Sequence, residues 1–291
     1  MKKVGLICDW SFTKHMQFRN YFYALSSIYG SIRLVNSKED LLGLDILFVG
    51  DYFYGYHWNI VTDYNEHKKP MPYIGGENFV KRINELEITL VLLCAEKLMG
   101  DTYYHHAVPT YNILKKCNNF YHYVYDVDDS EILGDKLHRL AMSKHYKDWV
   151  KVESKKDRII FIGAMYQSRR EVINFVAKNF PLDIYQSTIE SWEDYMKLIA
   201  GYRFVLSPLG NANALVTKFY EILLVHSIPI QQVKSNTLKY YDIEAKFNDC
   251  IYFEDLEELA NKLTQCTLSQ SQSEIWLEDY LIVLLKTDNL L

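Results

Sequence analysis

The stretch 202–230, YRFVLSPLGNANALVTKFYEILLVHSIPI, decides the fold. Its opening, Tyr202–Ser207, is an aromatic and β-branched run that reads as a strand. A loop of small and polar residues follows, containing Gly210, Asn211 and Asn213. From Thr217 to His226 apolar residues recur at helical spacing, and Thr217 is a residue type suited to the N-cap of that helix. Ile228–Gln231 then reads as a second strand. Strand, helix and strand in this order make a parallel βαβ unit, because parallel neighbours need a crossover between them.

The same alternation extends in both directions. Arg158–Ile162 is a strand, Gly163–Ser168 a loop, and Arg169–Asn179 a helix with Val172, Phe175 and Val176 inward. Leu182–Tyr185 and Cys250–Phe253 add strands, Trp192–Ala200 and Leu256–Cys266 helices. Toward the N-terminus, Val4–Cys8, Ser31–Val35, Leu44–Val49, Pro72–Ile74 and Thr89–Cys94 read as strands and Met16–Tyr29 as a helix. Residues 126–156 are polar and charge-dense, which marks a boundary. The expectation is an α/β chain of two Rossmann-like domains facing each other across a cleft, over 1–150 and 151–270. The segment 271–291 begins in the Ser/Gln-rich linker 269–273 and is expected to carry a final helix, Glu274–Lys286, packing back on the body. Ligands of such sheets bind at the carboxyl ends of the strands, so the loops after strands hold the candidate site.

Composition narrows the classes. The chain has 291 residues, 49% hydrophobic and 24% charged, enough apolar material for a large core and too much for wholesale disorder. With 32 Lys and Arg against 37 Asp and Glu, the net charge of −5 disfavours a general nucleic-acid binder. The five cysteines, Cys8, Cys94, Cys117, Cys250 and Cys266, are odd in number, scattered and without a C-x-x-C pair, which points to a reducing compartment. The apolar run after Met1-Lys2-Lys3 is too short for a signal segment, and no apolar run is long enough to span a bilayer. The chain reads as cytoplasmic.

Three pieces carry candidate chemistry. After Tyr202–Ser207, the polar loop and the start of the next helix offer free N–H groups to a phosphate. Lys218 stands in the first turn, where the helix dipole disfavours a cation, so its presence suggests a bound anion; Glu221 is placed to accept from ribose hydroxyls. The bland alternative is that both are solvated helix-face charges. In IIFIGAMYQSRRE (159–171), Gly163 opens the loop and Arg169 and Arg170 lie where guanidinium groups would grip phosphate oxygens. The alternative is that they pair with Glu171 or Asp183. In PYIGGENF (72–79), Glu77 follows a strand and a Gly-Gly turn, a suitable place for a general base, or simply an acid in a helix's first turn. The acidic run Asp126-Val-Asp128-Asp129 is either a short metal-binding run or a loop or helix cap, and His105-His106 lacks a third ligand at zinc spacing. Trp10, His57 and Trp58 follow strand ends and suit either a sugar stack or rim packing. No G-x-S-x-G, H-E-x-x-H, Walker A or G-x-G-x-x-G occurs, which argues against common hydrolases, zinc proteases, P-loop NTPases and NAD enzymes.

The order of these pieces resembles the GDP-fucose-dependent α-1,3/1,4-fucosyltransferase family, especially its bacterial members. That family has a strand ending in T-G-E-N, matched by Gly75-Gly76-Glu77-Asn78, and an arginine at a later strand–loop–helix start, where Arg169 sits. Its F-x-L-x-F-E-N, T-E-K and I-P-I elements are matched by Phe204-Val-Leu206-Ser-Pro-Leu-Gly210-Asn211, Thr217-Lys218 and Ile228-Pro229-Ile230. The opening KKVGLICDW and the strand LDILFVGD are similar too. The resemblance implies the two-Rossmann-domain (GT-B) plan and an inverting, metal-independent glycosyltransferase with no prosthetic group. The N-terminal domain would take a glycan acceptor and the C-terminal domain a nucleoside-diphosphate sugar, GDP-fucose favoured. Glu77 would be the catalytic base, with Gly163, Arg169, Arg170, Ser207, Asn211, Thr217, Lys218 and Glu221 around the donor.

The sequence departs from the family where Gly210 replaces the glutamate of F-E-N, where T-E-K becomes Thr217-Lys218, and where Gln231-Gln232-Val233 follows the I-P-I element. These positions surround the donor, so a different sugar nucleotide is credible. Two other readings fit the same pieces: a phage-type glucosyltransferase acting on modified DNA bases, which predicts a basic cleft and salt-sensitive DNA affinity, and an inactive sugar-nucleotide-binding protein.

Overall fold

Apolar runs such as Val4–Ile7, Ile46–Val49 and the four residues after Thr89 in Thr89–Leu93 become strand segments buried on both faces, as expected where helices cover a parallel sheet. The computed structural model describes residues 2–7, 16–35, 37–50, 76–93, 107–149, 154–186, 189, 191–210, 212–241, 249–268 and 276–291. The chain divides into two units, Met1–Arg139 with Leu277–Leu291, and Leu140–Trp276.

Unit 1 holds strands β1 (Val4–Ile7), β2 (Arg33–Leu34), β3 (Ile46–Val49), β4 (Thr89–Leu93), β5 (Phe120–Val124) and β6 (Lys136–Leu137). They form one parallel sheet in the order β2-β1-β3-β4-β5-β6. Its described helices before the unit boundary are α1 (Met16–Tyr29), α2 (Gly76–Glu85), α3 (Ala107–Leu114) and α4 (Val127–Leu133). The expected strand Pro72–Ile74 lies outside the described residues.

Unit 2 holds β7 (Lys156–Ile162), β8 (Leu182–Tyr185), β9 (Tyr202–Ser207), β10 (Ile228–Gln232) and β11 (Ile251–Phe253), alternating with α5 (Gln167–Asn179), α6 (Trp192–Ala200), α7 (Thr217–Leu224), α8 (Ser235–Tyr241) and α9 (Leu256–Thr264). The sheet order is β11-β10-β9-β7-β8, again parallel throughout. Ile159, Phe161, Leu206, Ile228, Ile230, Ile251 and Phe253 of the sheet pack with Val172, Ile173 and Val176 of α5 and Leu259 of α9. Each of these side chains removes apolar surface from water, at about 25 cal/mol per Å², and together they hold the sheet between its helices. At the opposite end from the strand tips, Lys155 Nζ donates to Ala200 O at 2.9 Å, Val225 O at 2.8 Å and Ser227 Oγ at 2.9 Å. A cation is well placed there, since it meets carbonyls at the negative ends of α6 and α7. Its burial nevertheless lowers its pKa to about 8.

The charge-dense stretch contains the division between the units, and its first part is folded. Asp126 caps α4 by accepting from Asp129 N at 3.1 Å, and Gly134 closes that helix at φ 71°. β6 then pairs with β5, so this part of the stretch belongs to unit 1. The division falls after Arg139 rather than after 150, because Tyr146 and Trp149 pack at an angle against Trp192 of unit 2, with ring distances of 5.2 and 5.1 Å.

The final helix, α10 (Leu277–Thr287), returns to unit 1 and packs on α1. Tyr29 OH donates to Leu290 O at 3.0 Å, Tyr123 OH to Asp288 Oδ2 at 2.6 Å, and Lys136 pairs with Asp288. Arg139 covers the Tyr280 ring at 4.3 Å and donates to its hydroxyl at 2.6 Å. Among the described residues no helix is long and apolar enough to cross a membrane.

Candidate functional site

In unit 2 the chain passes from β7 to one neighbour, β8, and then crosses to the other, β9. The connections leaving the carboxyl ends of β7 and β9 therefore run to opposite sides of the sheet. That topology leaves a crevice between the two strand ends, the usual ligand position of an open parallel sheet. Gly163 begins the loop after β7 with φ 141°, a conformation open to glycine and not to residues with a Cβ. Its N–H donates to Tyr185 O at 3.3 Å.

The helices that follow these two strands start without a side-chain cap. α5 begins after Tyr166 and α7 after Val216, and neither residue makes a capping bond. By contrast, Ser191 caps α6, accepting from Asp194 N at 3.1 Å, and Asp255 caps α9, accepting from Glu258 N at 2.9 Å. Thr217 is accordingly the first residue of α7 and not its cap; its buried Oγ1 has no hydrogen-bond partner among the described residues. Two helix starts thus offer partial positive charge at the crevice with no side-chain oxygen closing them.

Arg169 and Lys218 meet here. Lys218 Nζ donates to Ile162 O at 2.7 Å and Leu206 O at 3.4 Å, bridging the ends of β7 and β9, and lies 5.1 Å from the centre of the Phe161 ring. Arg169 is half-buried; its Nε reaches Leu209 O and its Nη1 reaches Ala164 O, both at 3.4 Å, so it spans the loops after both strands. Neither cation forms an ion pair with a carboxylate among the described residues. Burial lowers the pKa of Arg169. Burial, then the neighbouring Arg169 charge, brings Lys218 down to about 7, with Glu221 acting in the opposite sense. Two partly desolvated cations at one strand-end crevice make a place for a polyanion.

A scan against protein-family models finds none that matches, and no curated protein matches by sequence. Among solved structures, the chain is similar to an α1,3-fucosyltransferase at 15% identity, covering 90% of this chain and 76% of that one with a TM-score of 0.43. It is also similar to a UDP-GlcNAc 2-epimerase from Neisseria meningitidis bound to UDP-GlcNAc, at 7% identity, covering 99% and 100% with a TM-score of 0.42. The α/β assignment rests on the two parallel sheets themselves.

The remaining expected residues are distributed as follows. Ser207 is buried at the end of β9. Asn211 lies outside the described residues, as do Trp10, His57, Trp58, His105 and His106. Arg170 is exposed and donates to Met165 O at 3.4 Å. Asp183 is not a partner of either arginine of α5: Arg158 pairs with it, and Tyr202 OH donates to it at 2.9 Å. Glu221 is no solvated surface charge. It is buried, accepts from Trp192 Nε1 at 2.7 Å and is hydrogen-bonded by Tyr195, so the carboxylate expected to meet a ribose is spent on α6 instead. Its burial raises its pKa. Glu77 lies in unit 1, exposed in the first turn of α2, where it pairs with Lys116.

Two loop anchors escaped the sequence reading as site residues. Gln232 Oε1 accepts from Leu209 N at 3.1 Å, and buried Asn213 bonds Asn236 at 2.9 Å and Thr237. Both tie the loop after β9 to its surroundings. The signal available for Gln232 was the polar pair Gln231-Gln232 at the tip of a strand that starts apolar. Among the described residues no cluster of His, Cys, Asp or Glu is placed to hold a metal ion.

Proposed function

We propose that unit 2 binds the diphosphate of a nucleoside-diphosphate sugar at the β7/β9 crevice. The chain would transfer the sugar, fucose from GDP-fucose being the favoured case, to a hydroxyl of a glycan acceptor. The observation that carries this reading is the convergence of Arg169 and Lys218 at the topological switch point without a carboxylate ion pair among the described residues. The motif resemblance to fucosyltransferases supports the same reading. Described Cys117, Cys250 and Cys266 are free, which suits a reducing, cytoplasmic setting.

In this mechanism the acceptor oxygen attacks the anomeric carbon as Glu77 removes its proton. The bond from that carbon to the diphosphate oxygen breaks through an oxocarbenium-like state, and the configuration inverts. The nucleoside diphosphate carries away the electron pair, and its charge is held by Arg169, Lys218 and the uncapped helix starts. Arg170, exposed in the first turn of α5, reaches the outer phosphate oxygens. Arg169 and Lys218 supply the leaving-group stabilisation, so the proposed reaction needs no metal ion.

A thermal-shift panel of GDP-, UDP-, CMP- and dTDP-sugars tests the reading. A true donor at a hundred times its Kd is expected to stabilise the fold by about 2.7 kcal/mol. A selective shift with GDP-fucose, followed by sugar transfer, supports it. A UDP-glucose shift with salt-sensitive DNA affinity favours the DNA-base reading, and binding with neither transfer nor hydrolysis makes the chain a binding protein. No shift with any member removes the proposal.

Binding is also expected to depend on pH. In the free protein Lys218 is brought down to about 7, so it is mostly neutral above that value. A bound sugar nucleotide has a fully ionised diphosphate, which favours the ammonium form and raises the pKa of Lys218 in the complex. Binding at a pH above about 7 should therefore take up a proton, and affinity should fall as pH rises. Calorimetry in two buffers of different ionisation heat measures this uptake; zero uptake at pH 8 would place the diphosphate away from Lys218.

A further inference from the structure

We propose that Gly210 is a positioning residue for Arg169: its missing side chain is what allows the guanidinium to lie across the crevice. The inference rests on the reading of Arg169 as a diphosphate ligand and deepens it.

Glycine is commonly retained for backbone conformations that other residues avoid, but this one is not. Its φ lies outside the left-handed region, so alanine would suit the backbone. A Cβ built there would lie 2.8 Å from Arg169 Nη2 and 3.8 Å from its Cζ, with no other described atom beyond the adjoining residues within 4 Å. The space that a side chain would occupy is therefore filled by the guanidinium. Arg169 reaches Ala164 O on one side and Leu209 O, beside Gly210, on the other. Leu209 is itself held by Gln232 Oε1 at 3.1 Å. The backbone at Leu209 is thus held, while the arginine tip is the movable partner. A methyl group at 210 would displace the flexible end of Arg169 and leave the sheet undisturbed. The chain departs from the fucosyltransferase pattern at this same position, where the family has a glutamate.

The test measures binding of inorganic pyrophosphate to the full chain by calorimetry, with the melting temperature of the free protein as the folding control. Arg169→Ala is expected to weaken binding by about tenfold or more, the range of a lost charged hydrogen bond. Gly210→Ala is expected to weaken it by about three- to tenfold with the free protein's melting temperature unchanged. In the Arg169→Ala background the same Gly210→Ala change should cost nothing, because the group it displaces is gone. Arg169→Lys, with a slimmer head group, should make Gly210→Ala neutral in the same way. Gly210→Ala binding as tightly as the parent, while Arg169→Ala binds more weakly, overturns the positioning role alone. Equal losses from Gly210→Ala in all three backgrounds, or a lowered melting temperature of the free Gly210→Ala variant, show a structural glycine and overturn it as well. Unchanged binding by Arg169→Ala overturns the anion-site reading itself, and the inference with it.

Discussion

Replacing Lys218 with methionine is expected to weaken sugar-nucleotide binding by roughly 30- to 150-fold, which corresponds to about 2–3 kcal/mol for a charged hydrogen bond to phosphate. Lys218 is the side chain that bridges the ends of β7 and β9, through Ile162 O at 2.7 Å and Leu206 O at 3.4 Å, so its ammonium stands where the crevice opens between the two strands. Methionine keeps the length and the apolar contact with Phe161, which lies under Nζ at 5.1 Å, and removes only the charge and the donors. Stability of the free protein should barely change or rise slightly. Burial already brings Lys218 down to about 7, which means that the fold disfavours its charged form. The measurement is a titration of the best donor from the panel against parent and variant at pH 7, alongside thermal melts without ligand. A variant that melts normally and binds normally would show that Lys218 only fills space between the strands.

Glu77→Gln carries the other large effect. If Glu77 takes the acceptor proton, the amide should lower the transfer rate by roughly 10²- to 10⁴-fold, the usual contribution of a placed general base, and leave donor affinity nearly intact. Stability is a poor readout here. Glu77 and Lys116 form an exposed pair, and such pairs contribute at most about 1 kcal/mol. Initial rates of transfer with saturating donor and acceptor, compared with donor binding on the same preparations, separate the outcomes. Full activity in the glutamine variant would assign Glu77 to the positive start of α2, where acids are common for electrostatic reasons alone. Lost donor binding with normal folding would move it into the donor pocket.

Much of the fold was legible in the residues. The runs IIFI and ILFV became buried parallel strands, because a strand covered on both faces needs apolar side chains at every position. The strand Phe120–Val124 was not legible. Its sequence FYHYV carries His122 and two tyrosines in a place where an apolar run was sought, and only pairing beside β4 shows it to be part of the sheet. The charge-dense segment was read at two scales. The division between the units does fall inside 126–156, after Arg139 and not after 150, and of the two readings of its acidic run the helix cap is the one found, since Asp126 caps a helix. The site divides in the same way. Arg169 and Lys218 were read correctly as sitting after strand ends, since position in a βαβ unit is a local property. Glu221 was not, because a carboxylate on a helix looks the same in sequence whether it faces water or an indole N–H.

The α/β alternation, the two halves and most of the strands with the loops that follow them are properties of this sequence by itself. They arise from side-chain periodicity and from residue preferences that act over a few neighbours. Which strands stand side by side is decided only in three dimensions, where β7 lies between β8 and β9. That arrangement brings Arg169 and Lys218 to one crevice, gives Asp183 to Arg158, buries Glu221 against Trp192 and sets Gly210 under a guanidinium. Partners of this kind are far apart along the chain, and their pairing depends on how whole layers pack, which no short stretch of residues encodes.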